Sequence, residues 1–190
     1  MKIKLKSIVI LLGLSVILSC SIMNTTDNST IVQAAINGDS ARVKNLLEHG
    51  TNVNTINDNQ TTPLIAAFAK GYIVIVTELL NAGANPNLQN KQGSTALYAA
   101  SLIGHLEVVE VLIAAGADPN ISTSRPNYLL NTPLRIAVVN GRYEISKTLL
   151  IAGADLCITN QEGEDVFDDL DTYNVEPNIR KLLIVESCHS

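Results

Sequence analysis

Three different markers recur along this chain in one register. The tripeptides Thr62-Pro63-Leu64, Thr95-Ala96-Leu97 and Thr132-Pro133-Leu134 are spaced by 33 and then 37 residues. Gly38, Gly71, Gly104 and Gly141 keep intervals of 33, 33 and 37, and so do Gly50, Gly83, Gly116 and Gly153. Such a period means a stack of similar units, each too small to bury its own apolar face, so stability must come from contact between neighbours. Within the unit at Lys91 to Thr123, Thr95 offers a hydroxyl to an unpaired N–H in the first helical turn. Ala96 stands where Pro63 and Pro133 stand, at the first helical position, where a missing N–H costs nothing. Leu97 and Ala100 give this short helix an apolar face, and Gly104 ends it. Leu106, Val109, Leu112 and Ile113 recur at three- and four-residue spacing, which predicts a second helix closed by Gly116. Asp118-Pro119-Asn120 then turns the chain outward.

This order of markers, T-P-L, a pair of Ala, Gly, a Leu-rich helix and G-A-D/N-P-N, resembles the ankyrin-repeat family over roughly Ile31 to Val185. The resemblance implies an all-α ankyrin-repeat solenoid of helix-turn-helix units joined by β-hairpin-like loops. The expected domain runs over 31–190, with repeats at about 25–57, 58–90, 91–123 and 124–160 and a cap at 161–190. The first unit lacks T-P-L but keeps an inward stripe of Ile31, Ala34, Ala35, Val43, Leu46 and Leu47. Gln60 stands where the turn glycine of the second unit usually lies. The fourth unit is preceded by four extra residues around Ser124 to Asn127. Ile65, Tyr98 and Arg135 occupy the place where the family most often has a bridging His. Some inter-repeat ordering is therefore expected to come from packing, with Ile65, Tyr98 and Arg135 read as ordinary drift in a tolerant scaffold. In the last segment Glu162, Glu164, Asp165, Asp168, Asp169 and Asp171 place six carboxylates within ten residues. We read them as the solvated outer face of a cap that also supplies negative charge to a helix N-terminus. The other reading, a site for a cation or basic partner, lacks D-x-D-x-D-G spacing.

The N-terminus is different in kind. Lys2, Lys4 and Lys6 form a basic segment, and Ile8 to Leu18 is an apolar run of 11 residues, the size of a secretory core and too short to span a bilayer. The run ends in Ser19-Cys20, which resembles a bacterial lipoprotein signal with Cys20 as the lipidated residue. Residues 1–19 are thus expected to be cleaved, and Cys20 with the polar stretch 21–30 to form a lipidated tether with a reach of about 15–20 Å. An ordinary cleaved signal, with Cys20 merely nearby, is the alternative. The lipoprotein reading implies export and lipid anchoring to a bacterial membrane, at the periplasmic face or the cell surface. In that oxidising setting Cys157 and Cys188 are an even pair. A disulfide between them and two free thiols are both open.

Of the thirteen Lys and Arg, three lie in the signal segment, leaving ten against eighteen Asp and Glu, a formal charge of −8 from Cys20 onward. With no Trp and seven other aromatics, this balance argues against nucleic acid and anionic lipid as partners. His49, His105 and His189 are scattered, and neither Ser101 nor Cys157 has a sequence-adjacent base. No G-x-S-x-G, H-E-x-x-H, phosphate loop or C-x-x-C is present. No enzyme, cofactor or metal is expected.

What remains is surface. In ankyrin proteins partners usually dock on the concave side, on hairpin tips and the exposed face of each first helix. The resemblance carries this onto Asp58, Asn59, Thr61, Ala69 and Lys70; onto Lys91, Gln92, Ser94, Leu102 and Ile103; and onto Tyr128, Leu129, Asn131, Val139 and Asn140. Leu102, Ile103, Tyr128, Leu129 and Val139 make the middle of this strip apolar, as in a protein interface. The alternative is that the long fourth hairpin folds back, with Tyr128 and Leu129 as packing residues. A monomer that binds another protein, without nucleic acid, is the expectation.

Overall fold

Each T-P-L motif starts a helix for the reason its residues suggest. The Thr62, Thr95 and Thr132 hydroxyls accept hydrogen bonds from the N–H groups of Ile65, Tyr98 and Arg135 at 3.1, 3.1 and 3.2 Å. The structure, a computed structural model, describes residues 31–68, 71–123, 132–160 and 162–184. Helix α1 occupies 31–37, followed by α2 (Ser40–Glu48), α3 (Pro63–Phe68), α4 (Ile73–Asn81), α5 (Ala96–Ile103) and α6 (Leu106–Ala114). Then come α7 (Pro133–Val139), α8 (Tyr143–Ile151), α9 (Asp168–Thr172) and α10 (Pro177–Ile184). The signal segment, Cys20, the tether, Ala69, Lys70, the hairpin at 124–131 and Cys188 lie outside the described residues.

Helices α2 to α8, with α10, form two rows. Within repeats α3 packs on α4, α5 on α6 and α7 on α8. Between repeats α3, α5 and α7 form one layer, and α2, α4, α6, α8 and α10 the other. The Leu of each T-P-L motif, Leu64, Leu97 and Leu134, is at most 2% exposed, and small Ala66, Ala67, Ala99, Ala100 and Ala137 let the layers approach. Val43, Val76, Val109, Leu79, Leu112, Leu149, Ile179 and Leu183 fill the opposite side of one continuous core. Each such Val, Leu or Ile contributes about 1.5–3 kcal/mol on burial. Among the described residues the architecture is all-helical, with outward loops between units and no strand.

Gly104 ends α5 in the left-handed region at φ 101°, where a Cβ would also meet the Arg142 side chain at 2.9 Å. His105 packs over Gly71 in the same manner, with its ring 3.1 Å from where a Cβ would sit. That contact gives His105 a place in the packing between repeats.

Candidate interaction surface

The loops that project from the stack are shaped by asparagines that the sequence reading passed over. Asn57, Asn90 and Asn160 occupy one register. Each side-chain oxygen accepts two backbone N–H groups, from the second and fourth residues onward, at 2.9–3.1 Å. This closes each turn and fixes the next residues, Asn59 and Thr61, Gln92 and Ser94, Glu162 and Glu164, as a row of fingertips. The Lys91 N–H donates to the Asn59 carbonyl at 3.3 Å, joining two adjacent tips.

A second set of asparagines ties the repeats together. The Asn54 side chain accepts from the Asn85 N–H at 2.8 Å and donates to the Gly83 carbonyl at 3.3 Å. Asn87 does the same with Asp118 and Gly116, at 2.8 and 3.2 Å. Asn120 repeats it with Asp155 and Gly153, at 2.8 and 3.1 Å. Inter-repeat order therefore comes from these hydrogen bonds as well as from packing. The signal was present in sequence: Asn recurs at one register in three units.

Arg135 departs from the sequence expectation. It is not drift in a tolerant scaffold. Its side chain is 3% exposed, and its guanidinium reaches forward from α7 into the cap. There it donates to Asp169 Oδ1 at 2.8 Å and the Glu164 carbonyl at 2.9 Å, with Nε 2.5 Å from Asp169 Oδ2. The acidic stretch is correspondingly not one solvated face, because Asp169 is 4% exposed and faces inward. Burial raises its carboxyl above the ordinary 3.8, and the Arg135 hydrogen bond and charge only partly offset this. Glu162 and Asp168 do remain exposed. No cluster of His, Cys, Asp and Glu suited to a metal ion occurs among the described residues.

The strip expected to meet a partner is present in part. Leu102 and Ile103, at the end of α5, are 39% and 40% exposed. Lys91 and Asn140 are exposed, while Gln92, Ser94 and Val139 are half-buried. The Asn140 amide donates back to the Ile136 carbonyl at 2.8 Å. Lys70, Tyr128, Leu129 and Asn131 lie outside the described residues. Sequence reasoning missed Ile36, which stands two residues before Gly38 as Leu102 does before Gly104, and is 39% exposed. Ile36 also borders a recess of about 310 Å³, lined further by Val32, Gln33, Asn37, Asp39 and Arg42. Helices α1, α3, α5 and α7 contain no Asp or Glu, and their single charged residue, Arg135, is buried. In an acidic chain this leaves one uncharged, partly apolar face. Ile56, Val74, Ile151 and Ile184 are also exposed, but they belong to hairpins and second helices.

Cys157 is disulfide-bonded, and the chain's only other cysteines are Cys20 and Cys188. No helix among the described residues is long and apolar enough to cross a membrane.

A stacked array of paired helices with asparagine-braced fingers is the architecture of a helical repeat protein. A family model for ankyrin repeats (3 copies) matches residues 6–90, 31–123 and 71–160. The chain belongs to the ankyrin-repeat family, whose members generally mediate protein–protein interaction and are typically non-enzymatic. Comparison with curated proteins gives no match.

Proposed function

We propose that this chain is a non-enzymatic interaction module, tethered outside the cytoplasm through a lipid on Cys20, that captures another protein on its concave face. The observation that carries the reading is the exposed pair Leu102 and Ile103 beside α1, α3 and α7, helices that, like α5 itself, carry no carboxylate. Three-fifths of each side chain is already buried by the fold, so the remainder is held rigid. Binding then loses little side-chain entropy and gains from apolar burial. The partner presents an apolar ridge to this strip, and the fingertips at Lys91, Gln92 and Ser94 supply its polar rim.

Leu102→Lys with Ile103→Lys tests this. Cations at a helix C-terminus suit its dipole, so the double variant is expected to keep wild-type circular dichroism while losing capture of the partner at least tenfold. Unchanged capture by a folded variant would overturn the reading.

Three observations support export: the basic segment with its apolar run, Ser19-Cys20 at its end, and a disulfide at Cys157. Disulfides persist in oxidising compartments and are rare in the cytosol. A second reading places the module on the cell surface, binding a protein of a host or neighbouring cell. Digestion by protease added to intact cells is the expected result for that reading, and protection for a periplasmic one. For the remaining alternative, a small-molecule or metal-handling accessory, titration calorimetry with divalent cations or haem is the test.

A further inference from the structure

Tyr72, His105 and Arg142 share one register, at the starts of α4, α6 and α8. Each lays a planar group over the glycine that follows the first helix of the unit before. The Tyr72 ring, the His105 ring and the Arg142 guanidinium come within 2.5, 3.1 and 2.9 Å of where a Cβ on Gly38, Gly71 and Gly104 would stand. Tyr72 and His105 are half-buried, whereas Arg142 is exposed. Gly104 directly follows the exposed pair Leu102 and Ile103, so the guanidinium lies at the edge of the apolar strip. No carboxylate among the described residues pairs with it, for both ion pairs found there are made by Arg135. Glu107 and Glu144 stand in the first turns of α6 and α8, where they suit the helix dipoles. Asp39 holds the register of Arg142 in the first unit, where its side chain accepts the Arg42 N–H at 3.0 Å and caps α2. The opposite rim of the strip, at the fingertips, mixes Asp58 and Glu162 with Lys91.

We infer that the strip takes a protein segment whose apolar side chains stand beside a carboxylate, and that Arg142 is the residue that pairs with that carboxylate. The inference rests on the interaction reading above and adds the partner's chemistry to it. A guanidinium presents its donors in a planar fork that matches a carboxylate in a bidentate pair. Lying against the backbone at Gly104, this one is partly held before binding, so pairing loses less side-chain entropy. The chain as a whole is acidic, which works against an acidic partner at long range. At physiological salt, however, that repulsion is screened beyond about 8 Å, whereas a contact pair at Arg142 is not. The charge also sets a direction: the partner's apolar residues cover Leu102 and Ile103, and its carboxylate faces the start of α8 and not the fingertips.

Selection of displayed random peptides on the folded full chain, run in parallel on Arg142→Glu and on Leu102→Lys with Ile103→Lys, tests this. Arg142 begins α8 without a side-chain cap bond, and Glu suits that end of a helix, so Arg142→Glu is expected to keep wild-type circular dichroism. Peptides enriched on the wild type are expected to join Leu, Ile or Phe to Asp or Glu. A synthetic peptide from that set is expected to bind Arg142→Glu roughly tenfold more weakly or worse, and to lose the same factor on the wild type when its carboxylates are replaced by amides. Selection on Arg142→Glu is expected to return Lys or Arg beside the same apolar residues. Enriched peptides that are apolar without Asp or Glu, or that bind folded Arg142→Glu as well as the wild type, would overturn the role of Arg142 and leave the apolar strip standing. Peptides that bind the Leu102 and Ile103 variant as well as the wild type, or no enrichment on any form, would overturn the interaction reading beneath it.

Discussion

Gln60 carries the clearest residue-scale cost in this molecule. It holds φ 55° in the turn where Gly93 and Gly163 hold 73° and 82°. A non-glycine residue there costs about 1–2 kcal/mol, part of which glycine returns as unfolded-chain entropy. Gln60→Gly is accordingly expected to raise stability by about 0.5–1 kcal/mol in urea unfolding, and a loss of stability would show that the Gln60 side chain has a role of its own. Glutamine at the glycine position was readable in sequence because two sister turns show what the backbone needs. The Asn57, Asn90 and Asn160 braces are equally regular but carry no hydropathy signal, so apolar periodicity does not reveal them.

At the scale of the element, the C-terminal cap is where charge takes over from apolar area. Helix α9 contributes Leu170 to the core, and the Arg135–Asp169 pair supplies the tie that packing lacks. Arg180 of α10 adds bonds to the carbonyls of Val175, at 3.0 Å, and Leu170. Removing one member of a buried pair leaves the other uncompensated, so Asp169→Ala is expected to cost about 3–5 kcal/mol. Amide exchange should show that loss confined to α9 and α10 at first, and uniform loss across all repeats would contradict a local latch.

The pH dependence has an unusual sign. Because burial raises the folded-state pKa of Asp169 above the unfolded value, the folded protein binds its proton more readily than the unfolded chain does. The ionised carboxylate therefore weighs against the fold, and that cost is relieved as pH falls through the raised folded pKa toward 3.8. Relative to Asp169→Asn, the wild type is expected to gain stability between pH 7 and pH 4 in parallel urea titrations, and a relative loss would show that Arg135 outweighs burial.

None of this cap chemistry was visible in the sequence. Helix positions, caps and core leucines follow from local periodicity, and Thr62, Thr95, Leu97 and Gly104 behave as their spacing implies. Arg135 and Asp169 are 34 residues apart, and nothing local distinguishes Asp169 from exposed Asp168 beside it. Only the stacking of the cap decides which carboxylate turns inward. Ile36 is hard to read from sequence for a different reason: the first unit lacks T-P-L, so only the Gly38 register marks its place at the end of a first helix.

For the whole molecule, the stack places α3, α5 and α7 in one layer, and these three helices carry no carboxylate. The face so formed is partly apolar, with a polar rim, and it belongs to a chain whose family generally works by binding proteins. The partner's docking at this face is the central claim. The most direct measurement puts a photo-crosslinking side chain at position 102 and, as control, at position 147, where Lys147 is exposed on the opposite row, and activates each in intact cells. One dominant envelope protein, captured through position 102 and not through 147, is the expected result. Capture through 147 alone, or none through 102 in folded and well-expressed protein, would contradict it.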